Sequence, residues 1–465
     1  MAAVRRERDL LGERDVPADA YYGIHTLRAV ENFPLSGVPL SAHPELVVAL
    51  ASVKEAAALA HRDLATLPPD RADAIVTACR EIRAGALHDQ FVVDVLQGGA
   101  GTSTHMNANE VIANRALEIL GHPRGAYGHA HPNDDVNRAQ STNDVYPTAV
   151  KLALRAAAGV LLDSMTDLAR AFTERGGAFA KTYKLGRTQL QDAVPMTLGQ
   201  EFDVFALTVR DDAAVLQAAR AETCEVNLGG TAIGTGLNAD PGFTAAVVAH
   251  LALVTGVPVR EARDPIESTQ GMGAFLQMSA ALRRFALRLS KICNDLRLLA
   301  SGPAAGLGEI RLPARQAGSS IMPGKVNPVI PEAVNQVCFD VVGADAAVSM
   351  AAQAGQLQLN AFEPLVAHLL LTAIRRLGAA CRILAEHCVQ GIEANESHLR
   401  FAVERSAGLA TALNPVIGYP KASELARRCV TGGVPVRELA LRDGLLSAEE
   451  LDGLLDLHRL VRPPR

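Results

Sequence analysis

The chain has 465 residues, 49 % of them hydrophobic, enough for a large core and two or three domains. Its net charge is −5 and its pI about 6.2, with no basic run, so it lacks the electrostatic footprint of a nucleic-acid binder. Mean hydropathy is +0.13, yet no stretch reaches the ~18 uninterrupted apolar residues of a membrane span and the first residues lack the apolar core of a signal peptide; the apolar excess is expected to be buried within or between subunits of a cytoplasmic protein that binds no membrane.

Residues 1–141 are mixed in character. Asp15 to Arg28 is rich in turn formers, and helices are predicted over Ala49–Leu67 and Arg71–Leu87. A Gly-rich turn, Gln97 to Thr104, leads into a helical run from Asn107 to Leu120. From Tyr146 to about Gly302 long helices are predicted. Leu161, Met165, Leu168 and Phe172 mark one, and Phe202, Phe205 and Val209 another. Phe275, Met278, Leu282, Phe285, Leu289, Ile292, Leu296 and Leu299 alternate spacings of three and four, the seam of a bundle helix from Glu267 to Ala300. Pro331 fits the opening of a fourth helix and Glu363-Pro364 that of a fifth. Beyond Ala394 the helices become short and charged, and Ser447 starts one like a cap. No strand–helix alternation, internal repeat or low-complexity tract interrupts this pattern. The reading is a mostly α protein in three segments, 1–141, 142–394 and 395–465, whose apolar helices call for a homo-oligomer. Seven scattered cysteines without a C-x-x-C pair read as reduced packing residues.

Chemistry concentrates between the third and fourth long helices. Gly318-Ser319-Ser320-Ile321-Met322-Pro323-Gly324-Lys325-Val326-Asn327-Pro328 places two hydroxyls, a lysine and an asparagine between glycines and prolines. It reads as a mobile loop on rigid supports, either an active-site lid or a connecting turn whose serines cap backbone. Other polar clusters are Thr102-Ser103 with Asn107 and Asn109, Gln140-Ser141-Thr142-Asn143-Asp144, and Gly186-Arg187-Thr188-Gln189. Ser141 and its neighbours could cap a helix or offer an anion site at its N-terminus. Gly229 to Gly236 lacks the strand of a dinucleotide fold and reads as close backbone packing. His122, His129 and His131 lack ligand spacing, so no metal and no cofactor are expected. The recurring groups are neutral donors and one lysine, which suits a small dicarboxylate and includes no Ser-His-Asp set.

These motifs resemble the fumarase/aspartase superfamily over nearly the whole chain. Gly318 to Pro328 is its most specific signature; Gln97 to Ser103, Gln140 to Asp144 and Glu225-Val-Asn-Leu-Gly229 resemble its other conserved regions, in order. Tyr21 to Arg28 and Gly186 to Pro195 resemble the ammonia-lyase branch more than the fumarases, which carry histidine where this chain has Gln189. The resemblance implies a three-domain fold with a central long-helix bundle and a homotetramer whose active sites are shared between subunits. It implies reversible deamination of L-aspartate to fumarate and ammonium through an enediolate-like intermediate. Ser319 would be the base. Thr102, Ser141, Thr142 and Ser320 would hold the β-carboxylate, and Thr188, Lys325 and Asn327 the α-carboxylate. Asn143 and Gln189 would meet the amine. His105, where relatives usually have asparagine, and Gln189 leave open another β-elimination, such as loss of nitrite from nitrosuccinate; the nearest rival is fumarate hydration, and a bundle kept as a binding protein is the reading from another class. A second anion site near His131, Asn133 and Asp134 is a further expectation.

Overall fold

The computed structural model describes residues 3–461 and is mostly helical. It opens on a hairpin, β1 (Val4–Asp9) and β2 (Gly12–Pro17), followed by α1 (Ile24–Asn32). The stretch Asp15–Arg28, expected to be turn-rich, has its turns at 18–23, between the end of β2 and the start of α1. The strands lack apolar alternation because polar contacts join them to the body: Arg28 binds Asp9 at 2.7 Å, and buried Glu7 accepts the Ile24 N–H at 2.8 Å and the Tyr127 hydroxyl at 3.1 Å. No side chain of its own caps α1. Buried Glu110 instead accepts the backbone N–H of Gly23, His25 and Thr26 at 2.9–3.1 Å.

Helices α2 (Pro44–Asp63), α3 (Pro69–Arg83) and α4 (Thr102–Ile119) follow. The first two begin five and two residues before the predicted starts, because Pro44 and Pro69 fit the first helical position. The chain continues with α5 (Thr142–Ala178), the hairpin β3 (Tyr183–Thr188) and β4 (Gln191–Thr197), and α6 (Leu198–Glu222). Short parallel strands β5 (Glu225–Val226) and β6 (Arg260–Glu261) flank α7 (Phe243–Thr255). The long helix predicted from Glu267 is two helices, α8 (Pro265–Gln270) and α9 (Gly273–Leu299). Asp264 caps α8 through the N–H of Ile266 and Glu267, and extended Gly271 ends it, while the predicted α9 seam is buried throughout. At 1.5 Å per residue, α9 spans about 40 Å rather than 50 Å.

Next come β7 (Ile310–Arg311), α10 (Val329–Gln353) and α11 (Glu363–His387). Pro331 sits in the third residue of α10 rather than opening it. β8 (Glu393–Ala394) pairs with β7, and six short helices, α12 to α17, run from Glu396 to Leu460. Ser447 and Glu450 form a reciprocal capping box at the fifth of them.

The described residues divide into two compact units. One is drawn from Met1–Leu162, Ala214–Ala286 and Phe339–Leu377; its core includes Leu50 and Val53 of α2, Cys79 and Ile82 of α3, and Val111 and Ile112 of α4. The other is drawn from Asp163–Ala213, Leu287–Cys338 and Gly378–Arg465. Its core carries the predicted Phe172, Phe202 and Phe205 in edge-on and tilted contact, with Phe172 and Phe205 5.5 Å apart. Within it, Leu409, Leu413, Leu425, Val436, Leu439 and Leu451 make a separate terminal core. All seven cysteines are free, buried thiols, as expected. Two segments, Thr142–Ala178 and Glu363–Gly391, are long and apolar enough to cross a membrane, but 72 % and 61 % of their most apolar windows are buried in the protein, as in core helices.

Candidate active site

Two helix N-termini meet in the first unit. Thr102 is the first residue of α4 and Thr142 the first of α5. They are tied one turn into α4, where His105 Nδ1 lies 2.8 Å from Thr142 Oγ1. Gly101 makes the approach possible: its φ is +90°, and a Cβ there would lie 2.6 Å from the Tyr146 ring on α5. Ser141 caps α5, its Oγ accepting the Asn143 N–H at 3.2 Å while Asp144 Oδ1 accepts the Ser141 N–H at 3.0 Å. The other oxygen of Asp144 accepts the N–H of Gly229 and Thr231, which fastens the 229–236 loop to the helix. Within that loop, Gly230, Gly234 and Gly236 make backbone hydrogen bonds, the close packing expected of it. Asn143 Nδ2 donates to Ala232 O at 2.7 Å.

Behind Thr142 lies a buried lysine to which the sequence reading assigned no role. Lys54 is wholly buried, and its Nζ lies 2.7 Å from His105 Nε2, 2.8 Å from Asn137 Oδ1 and 2.9 Å from Gln140 Oε1. Desolvation pushes it down to about 7 and holds His105 well below the usual imidazole range. The available signal was Lys54-Glu55, a charged pair inside an otherwise apolar helical stretch.

In the second unit, Thr188 ends β3, and Gln189-Leu190 form the two-residue turn to β4. This segment was expected as a turn between helices, and the short hairpin strands were missed. Gln189 and Leu190 have φ +54° and +62°, the left-handed pair of a type I′ turn held by residues other than glycine. Buried Glu309 secures the strand behind the turn, binding Lys184 at 2.8 Å and Arg187. A cavity of about 370 Å³ is lined by Arg187, Thr188, Leu190, Lys291 and Leu307.

The signature segment is a loop, as read. Gly318 N–H donates to Lys325 O at 2.8 Å and Asn327 Nδ2 to Gly318 O at 2.8 Å, closing its neck. A Cβ on Gly318 would lie 2.4 Å from Lys325 O, so the neck requires glycine. Ser319 Oγ receives two backbone donors, Ile321 N–H at 3.1 Å and Met322 N–H at 3.0 Å. Ser320 and Lys325 are exposed. Thr102, Ser141, Thr142 and Asn143 therefore belong to the first unit, and Thr188, Gln189, Ser319, Ser320, Lys325 and Asn327 to the second.

His122 and His129 stack at 3.6 Å, while His131 Nδ1 accepts the N–H of Asn133 and Asp134. Asn133, Asp134, Asn137, Gln140 and Ser141 line a cavity of about 680 Å³.

The family described as Lyase matches residues 12–343, and Fumarase C C-terminus matches residues 409–462. The aspartate ammonia-lyase of Pseudomonas fluorescens is 57 % identical over 463 residues, covering 99 % of this chain and 97 % of its own. The chain belongs to the fumarase/aspartase superfamily. The aspartate ammonia-lyase of Escherichia coli (strain K12) is 50 % identical, covering 99 % of this chain and 96 % of its own. A solved fumarate lyase:delta crystallin from Brucella melitensis, bound to cobalt, is 57 % identical with a TM-score of 0.97, covering 99 % of this chain and all of its own. A class II fumarase from Schistosoma mansoni is 34 % identical with a TM-score of 0.95 over the full length of both chains. The mostly helical, long-helix architecture expected of a superfamily member is the one this chain adopts.

Proposed function

We propose that this protein is an aspartate ammonia-lyase, a carbon–nitrogen lyase that converts L-aspartate to fumarate and ammonium. The relatives above carry the reaction class. The pair of backbone donors on Ser319 Oγ carries the mechanism. A serine hydroxyl is too weak an acid to serve as a base near neutral pH. Two N–H groups aimed at its oxygen favour the alkoxide, and closure of the exposed loop over substrate would remove competing water.

Ser319 Oγ takes the proton from Cβ. The electron pair moves into the β-carboxylate, giving an enediolate-like dianion. Hydroxyls of Thr102, Ser141, Thr142 and Ser320 would stabilise that charge, together with the two helix N-termini they mark. Thr188, Lys325 and Asn327 would hold the α-carboxylate, and Asn143 and Gln189 the amine. The dianion collapses to the double bond as Cα–N breaks. Because the substrate amine is already an ammonium, it leaves as neutral ammonia without a further acid; the proton taken by Ser319 then passes to the ammonia, directly or through solvent, giving ammonium and restoring the base.

Self-association supplies the rest of the proposal. Apolar side chains stand exposed on the long helices: Leu276, Leu287 and Leu298 on α9, Phe339 and Met350 on α10. The α9 leucines are eleven residues apart, which returns to within about 20° of the same face. Such a stripe supports a homotetramer with helices at its centre and active sites shared between subunits. The separate core of residues 409–460 supports an independent terminal segment from about residue 395, beside segments 1–141 and 142–394. The seven reduced thiols suit a cytoplasmic setting.

Purified protein with L-aspartate should produce fumarate, followed by its ultraviolet absorbance, and L-malate should be a poor substrate. Turnover of malate without aspartate would assign it to the fumarases. Ser319→Ala should lower kcat by about 10²–10⁴-fold and still bind fumarate. A near-normal rate in that variant would remove Ser319 from the role of base.

A further inference from the structure

We propose that His105 is a positioning residue that transmits the protonation state of Lys54 to the Thr142 hydroxyl, and so decides whether that hydroxyl offers a proton or a lone pair to the substrate carboxylate. The role of Thr142 as a carboxylate ligand rests on the aspartate reading; the relay itself rests on hydrogen-bond geometry.

Two of the three neighbours of Lys54 Nζ are fixed in polarity. Asn137 Nδ2 donates to Gln140 O at 3.3 Å, and Gln140 Nε2 donates to the carbonyls of Val136 and Arg138 at 3.2 and 3.1 Å. Both amide oxygens therefore face Lys54 and can only accept. An ammonium has three N–H groups and no lone pair, so its third proton goes to His105 Nε2, which must be bare. The neutral ring then carries its hydrogen on Nδ1 and donates it to Thr142 Oγ1. With that oxygen already accepting, the Thr142 proton is free to point into the site.

Removing one proton reverses every polarity along the chain. The Lys54 amine keeps two N–H groups for the two amide oxygens and turns its lone pair to the ring. The third Lys54 N–H bond breaks as His105 Nε2–H forms. His105 Nδ1–H breaks as a new Thr142 Oγ1–H forms, and the original Thr142 proton leaves into the site. The hydroxyl now donates to His105 and presents a lone pair to a carboxylate, which repels it.

The surroundings keep both states accessible. Asp144 on α5 favours the ammonium, while desolvation opposes it and brings Lys54 down to about 7. Cys79 on α3 is pushed up by burial and stays a thiol. His61 on α2 and His25 on α1 are lowered by burial and stay neutral above their ordinary range.

The relay is tested on the intact enzyme labelled with nitrogen-15 histidine, with His105→Asn assigning the resonances and His105→Gln serving if that variant does not fold. His105 should carry its proton on Nδ1 at about pH 6 and on Nε2 at about pH 8.5, with the exchange centred near 7. Over the same range kcat/KM for aspartate should fall about tenfold, with kcat falling as well as KM rising, the cost of losing one donor to a carboxylate whose charge grows in the transition state. His105→Leu offers neither a donor nor an acceptor to Thr142, so it should lose that pH dependence. An unchanging tautomer, Nε2–H at about pH 6, or an undiminished fall in kcat/KM in His105→Leu would overturn the relay. Tautomer exchange in a protein that turns over no aspartate would refute the substrate reading and leave the relay standing.

Discussion

Asn227 donates its side-chain amide to the backbone carbonyl of Asn143 at 3.0 Å. That carbonyl is free because Pro147, four residues on, has no N–H to complete the helical ladder of α5. A proline inside a 37-residue helix thus creates an acceptor beside the candidate amine ligand, and a residue outside the helix occupies it. Asn227→Leu should cost about 1–3 kcal/mol by leaving a buried carbonyl unpaired, and should raise KM as Asn143 shifts. Adding Pro147→Ala supplies the missing N–H and should restore part of the lost Tm. Strictly additive destabilisation in the double variant would contradict this linkage.

Lys325 is the one cationic side chain between Gly318 and Pro328. Removing a charge-assisted contact to a carboxylate costs about 1.5–3 kcal/mol, or roughly 10–100-fold in affinity. Lys325→Ala should show this mainly in KM, because the α-carboxylate keeps its charge through the reaction. Steady-state kinetics decide the matter: an unchanged KM with a collapsed kcat would move Lys325 from binding to transition-state stabilisation.

The β3–β4 turn separates strain from function. Gln189 and Leu190 both occupy the left-handed region, which glycine enters without steric penalty. Leu190→Gly should relieve strain at an exposed position, hold or raise Tm, and leave kcat/KM near wild type. Gln189→Gly relieves similar strain but removes the proposed amine contact, so KM should rise by about tenfold. Equal kinetics in the two variants would show that Gln189 serves only the turn.

The long helices were legible because their burial has a period. The α9 seam, Phe202 and Phe205, and the Glu363 start all follow from residues that repeat at helical spacing or mark an end. The hairpins were not, because β1 and β2 owe their place to the Arg28–Asp9 ion pair and the hydrogen bonds of buried Glu7, and β3–β4 turns on Gln189-Leu190 where a turn motif would offer Asn-Gly. The signature loop announced itself through glycine, proline and two serines, but the donors on Ser319 are backbone groups without a side-chain code. Lys54 escaped for a related reason. A single lysine in an apolar helix carries meaning only once His105, Asn137 and Gln140 are seen around it.

A second histidine contact makes stability depend on pH. His43 is 2 % exposed; its Nε2 lies 2.9 Å from His368 Nδ1, and Arg375 reaches its Nδ1 at 3.3 Å. Arginine can only donate, so His43 Nδ1 accepts and Nε2–H donates to His368. Protonating His43 would place a second hydrogen against Arg375. Burial, reinforced by His368 and Arg375, accordingly lowers it to about 4 from 6.5. Between those values the unfolded chain binds a proton that the folded protein refuses. Stability should therefore fall as pH drops from 6.5 toward 4, and be fully retained above 6.5. A shift of this size corresponds to about 3 kcal/mol at most. Thermal unfolding across that range should show a smaller loss of Tm in His43→Gln than in the wild type. Parallel profiles for the two proteins would assign the acid sensitivity to other groups.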